Sequence, residues 1–172
     1  VMRDLTVDRI HTYYVIAGTT PVLVHNCNDH VVLGVNPYSD DLAASLRAGG
    51  DEYAHTFNNG SFGTPGISGR PKWMEGVEEA IGNGNTKISV TLNGIPGGSA
   101  GEKFAAAYRR GVPLQGDWRA ASQSGNGTAW ELAKLGNAVR FGRREWGGID
   151  FYYGGEKVDL AEPDWSELRR GF

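Results

Sequence analysis

His30-Val31-Val32-Leu33-Gly34-Val35, followed at once by Asn36-Pro37, is a short apolar run stopped by a turn. It is too short for a helix, which needs roughly ten residues or more, and its length suits a buried strand. Working outward, Ser39 is placed to cap a helix over 40–48, with Asp40 and Asp41 in its first turn and Gly49-Gly50 at its end. Glu52 to Phe57 is a second candidate strand, and residues 58–69 are a loop by composition. Pro71 opens a helix in which Trp73, Met74, Val77, Ala80 and Ile81 keep helical spacing until Gly82-Asn83-Gly84. Ile88, Val90 and Leu92 alternate with polar residues, which predicts a strand with one wet face. This alternation of strand and helix predicts a mixed α/β fold: a short, mostly parallel or mixed sheet with flanking helices and long Gly-rich loops.

Further along, Ser99 and Glu102 have capping-box spacing for a helix over 100–110, and Thr128 and Glu131 have it for one over 129–142. Ile149 to Tyr153, Gly154-Gly155 and Glu156 to Val158 read as a closing hairpin.

Composition narrows the classes. The chain has 172 residues and a net charge of -3, and because Arg3 and Arg9 cancel Asp4 and Asp8, that charge sits on 27–172. Proteins that grip nucleic acid over a broad surface carry a basic excess, so this balance counts against one. The 26 glycines exceed the 12 or so expected at about 7% usage. No apolar run approaches the roughly 20 residues of a membrane helix. The sole cysteine, Cys27, has no partner for an internal disulfide. No P-loop, strand-borne G-x-G-x-x-G, H-E-x-x-H, cysteine cluster or G-x-S-x-G elbow occurs, so no motif calls for a cofactor or a metal.

The opening Val1-Met2-Arg3-Asp4 reads as the interior of a longer chain, and 11–26 as a hairpin with its turn around Gly18 and Pro21. The hairpin ends in His25-Asn26-Cys27. The Asn26 carboxamide can attack its own main-chain carbonyl, forming a succinimide and breaking the bond to Cys27, while His25 protonates the departing amine. HTYYVIAGTTPVLVHNC closely resembles the C-terminal end of the HINT (Hedgehog/intein-type) domains that precede toxin modules. The resemblance implies that 1–26 is an incomplete HINT remnant and 27–172 a toxin domain freed by autocleavage at Asn26-Cys27. The nucleophile and upstream histidine of that family lie outside this chain, so cleavage belongs to a longer parent.

The stretches HVVLGV, WMEGVEEA, NTKISVTLNG, GTAWELAKL and IDFYY resemble the domain called polymorphic toxin type 27, over about 30–158. That resemblance implies secretion by an upstream delivery protein, entry into the cytoplasm of a competing cell, and a cognate immunity protein.

Three activities stay open. A metal-independent nuclease acting on RNA would use His30 and His55 as acid and base with Glu131 and Arg140. An NAD- or nucleotide-directed glycohydrolase or ADP-ribosyltransferase would use Glu131 to stabilise an oxocarbenium-like centre, with Trp130 stacking on the substrate. A non-enzymatic binding toxin would use none of these. The nuclease leads by analogy with other toxin tips. Arg143 and Arg144 are candidate phosphate contacts, although cations at a helix end also favour its dipole. For Glu131 the competing explanation is the capping box itself.

Overall fold

The computed structural model describes residues 12–17, 20–25, 29–57 and 64–168. In the N-terminal segment β1 (Thr12–Ala17) and β2 (Thr20–His25) pair antiparallel, with Thr12 opposite His25. The expected hairpin is therefore present, while Asn26 and Cys27 lie outside the described residues.

The rest runs β3 (His30–Leu33), α1 (Tyr38–Ala48), β4 (Ala54–His55), α2 (Lys72–Gly82), β5 (Lys87–Thr91), α3 (Ala100–Gly111), α4 (Trp118–Ala121), α5 (Gly127–Arg140), β6 (Ile149–Tyr153), β7 (Glu156–Val158) and α6 (Trp165–Leu168). The strands form one sheet in the order β4-β3-β5-β6-β7. The first four are parallel and β7 returns antiparallel from β6. Gly154 and Gly155, with φ of 65° and 87°, make the two-residue turn that this return needs. The mixed α/β architecture expected from the sequence is the one observed.

Alternation assigns the two faces. Val31, Leu33, Ile88, Val90 and Phe151 join the core with residues of α2, α3 and α5. Their neighbours His30, Val32, Ser89 and Thr91 point to the other face, which α1 covers, and all four are buried. The face of β5 expected to be wet is thus dry, because α1 lies across it.

On the core face α2 and α5 run side by side in one direction. Trp73 meets Trp130 edge-on with centroids 5.5 Å apart, and Lys134 pairs with Glu78 at 2.6 Å. Beyond α5, Arg144 donates to the carbonyls of Ala80, Ile81 and Asn83, which the end of α2 leaves open, and to that of Thr86 in the turn before β5. Helix α3 packs on α5 in the opposite direction. The contact is close at Gly111, where a Cβ would sit 1.8 Å from the Ala129 carbonyl oxygen.

Several boundaries differ from expectation. Helix α1 begins at Tyr38, after Pro37, and Ser39 is buried inside it rather than capping it. Strand β4 is only two residues long. Ser99 and Glu102 form the expected capping box on α3. On α5 the Thr128–Glu131 box does not form: the helix starts at Gly127 behind Asn126, with no side-chain cap.

Candidate functional site at the ends of β3

Freed from capping, Glu131 falls on the buried side of α5, where it is 8% exposed. Its Oε2 accepts from the Gly34 N–H at 3.3 Å. The strand explains why that N–H is available. Asp29 gives its carbonyl to Lys87 of β5, so odd-numbered residues of β3 bond towards β5 and even-numbered ones towards β4. Strand β4 stops at His55, opposite Val31, which leaves no strand beside Gly34. Glu131 supplies the missing acceptor. A neutral amide would serve as well, yet a carboxyl is there. Burial is the larger influence and the Gly34 bond only partly offsets it, so the Glu131 carboxyl is pushed up to about 7.

The position matters as much as the burial. In order along the chain the sheet runs second, first, third, fourth, fifth strand. The loops leaving β3 and β5 therefore part in opposite directions at their carboxyl ends, which is where open α/β sheets hold their ligands. Gly34 lies at this point with φ 142°, and a Cβ on it would come within 2.5 Å of Thr91 Cγ2 and 2.8 Å of the Thr91 carbonyl oxygen.

At the other end of β3, His30 is 1% exposed and bonded at both nitrogens. Nδ1 lies 2.7 Å from Asp51 Oδ2 and Nε2 lies 2.8 Å from Ser89 Oγ. A carboxylate only accepts, so Nδ1 carries the proton, and in the neutral ring Nε2 accepts from the Ser89 hydroxyl. Burial raises the Asp51 carboxyl, but the bond and charge of His30, then those of Lys87, outweigh it and hold the carboxyl below its usual range. An Asp-His-Ser chain has the order of a hydrolase triad. Here the Ser89 hydroxyl is sealed within the sheet under α1, at 0% exposure, and no substrate reaches it. A cleft of about 530 Å³ beside it is lined by residues including Asp29, His30, Asp51 and Lys87, and not by Ser89.

The structure does not bring the candidate residues together. His30 and Glu131 approach opposite ends of β3, about 13 Å apart at strand rise, and from opposite faces. His55 points to the core face, half-buried, with Nδ1 3.0 Å from the Tyr53 carbonyl oxygen and 3.4 Å from Asp29 Oδ1. Trp130 is buried against Trp73 and shows no free ring face. Arg140 and Arg143 flank the Phe141 ring at the far end of α5, with Arg140 about 14 Å along the helix from Glu131. Arg144 is spent on four carbonyls. Residue type does not single out Gly34, Asp51 or Ser89; for Gly34, a glycine closing an apolar strand is the available signal. Among the described residues no cluster of His, Cys, Asp and Glu is arranged to hold a metal ion, and no helix is long and apolar enough to cross a membrane.

The family model of bacterial toxin 27 matches residues 33–158, most of the chain, and the chain belongs to that family. No curated protein and no solved structure matches it. The matched span holds Gly34, Asp51, Ser89 and Glu131 and begins after His30.

Proposed function

We propose that this toxin domain is an enzyme acting on a nucleotide-class substrate of the NAD type, with Glu131 as its acid–base group. One observation carries the reading: a buried carboxyl sits at the carboxyl end of β3, beside the point where the loops of β3 and β5 part, and among the described residues it is held by the Gly34 N–H alone. A carboxyl titrating near neutrality is present in both forms, as proton exchange requires. In its ionised form it can accept a hydrogen bond from a ribose hydroxyl and stabilise positive charge developing at the anomeric carbon. The low exposure of the site keeps water from screening that interaction.

RNA cleavage by His30, His55, Glu131 and Arg140 has less support, because those side chains lie on different faces and ends of the sheet. The net charge of -3 also offers little to a polyanion. Expression of the chain in bacteria without an immunity protein, with NAD, RNA and DNA measured together, tests the choice. NAD should collapse while RNA stays intact, and Glu131→Gln should abolish the effect. Degraded RNA with normal NAD would restore the nuclease.

The same reading includes delivery. A longer parent carries the domain into the cytoplasm of a competing cell, asparagine cyclisation frees it at Asn26-Cys27 with His25 as proton donor, and an immunity protein protects the producer. In that parent Asn26→Ala should leave the toxin attached; release continuing at this bond would sink the cyclisation mechanism.

A further inference from the structure

Lys103, in the first turn of α3, is 8% exposed. Its ammonium donates to the Ile95 carbonyl and lies 5.2 Å from the centre of the Tyr153 ring. Among the described residues it forms no ion pair, so two of its three donors and its whole charge have no anionic partner. A buried cation without a counter-ion is costly. Neighbouring Glu102 does not supply one: its Oε2 accepts the Gly98 and Ser99 N–H groups in the cap of its own helix. That cap also takes up the Gly98, Ser99 and Glu102 N–H groups, and the lysine supplies the positive charge beside it. Around the buried lysine, Gly94 and residues 96–99 are exposed, three of those five being glycines with no side chain to shield it.

The place fits the site already described. Tyr153 ends β6 and Gly34 follows β3, with β5 between them. Two interstrand spacings, about 10 Å, therefore separate β6, whose Tyr153 the lysine touches, from β3, whose following Gly34 donates to Glu131. A ribose-to-pyrophosphate fragment covers that distance with a hydrogen bond at each end.

We infer that Lys103 is the anion subsite of this site and takes a phosphate group of the substrate. The inference rests on the nucleotide reading of Glu131 and names the substrate chemistry further: phosphate-bearing, not a free nucleoside. Inorganic pyrophosphate titrated into the full chain, followed by calorimetry, tests it without turnover. The wild type, Lys103→Arg and Glu131→Gln should bind alike. Lys103→Gln, which keeps a donor for the Ile95 carbonyl but loses the charge, should bind about tenfold more weakly or worse. Equal affinity in Lys103→Gln, or no binding to the wild type, overturns the subsite while leaving the Glu131 reading to its own NAD measurement. A readout independent of folding variants is reductive methylation of the wild type: pyrophosphate should slow the reaction at Lys103 and leave exposed Lys72 unchanged, and equal slowing at both overturns the subsite.

Discussion

At the start of β3 a buried histidine has both nitrogens bonded, one to Asp51 and one to Ser89, whereas at its end a buried glutamate has one long bond to Gly34. The two groups are comparably hidden and four residues of strand apart, yet their chemistry diverges. Both ring nitrogens of His30 have a partner, and the Asp-His-Ser chain ties the loop between α1 and β4 to the centre of the sheet. Glu131 bears a desolvation that its bond to Gly34 only partly offsets, which raises its proton affinity into the neutral range. Residue type alone favours the histidine as the reactive group. Satisfaction of hydrogen bonds favours the glutamate.

The sharpest test of that contrast is stability against pH. The folded-state value of Glu131 is about 7 against an ordinary 4.5, so the fold binds the proton more tightly than the unfolded chain. Its stability is therefore full below pH 4.5 and declines as pH rises towards 7, by up to roughly 3–4 kcal/mol at about 1.4 kcal/mol per unit. Glu131→Gln keeps an acceptor for Gly34 and should be more stable than the wild type at pH 8 by a comparable amount in denaturant titration, with no gain at pH 4. Equal stability at pH 8 would mean that the carboxyl is solvated after all. Next in size is Ser89→Ala, which leaves His30 Nε2 without its partner and should cost about 1–2 kcal/mol. Toxicity should persist where the variant remains folded, and its loss in a stably folded protein would make the Asp-His-Ser chain functional. Smallest is Arg143→Ala at an exposed helix end, expected to change stability by less than about 0.5 kcal/mol and toxicity not at all. A clear loss of toxicity there would reopen phosphate recognition at the end of α5.

Local chemistry was readable where neighbours in sequence decide the outcome. The apolar run at 30–33, the Ser99–Glu102 box and the Gly154-Gly155 turn all form as their spacing predicts. The site was less readable, because its geometry is settled by distant partners. Thr128 and Glu131 have the spacing of a capping box, but α5 starts one residue earlier than Thr128 and turns the glutamate to β3, 97 residues away in sequence. Ser89 looked like a solvent-facing strand residue until α1 covered it and His30 bonded it from 59 residues away. Arg144 looked like a phosphate contact, yet it is committed to carbonyls 58 to 64 residues distant.

The bond between Gly34 and Glu131 bears on how such a gene survives propagation. Cells holding it without protection are under selection to disarm it, and most single changes that disarm an enzyme also damage its fold. On the reading of Glu131 as the acid–base group, Glu131→Gln does the opposite: it is a single change that keeps the acceptor for Gly34 and removes the buried charge. Survivors of such selection should therefore include abundant, well-folded, full-length protein altered at this position, alongside the expected truncations. Sequencing the escapees of an unprotected transformation would show whether position 131 is favoured over the buried core around it.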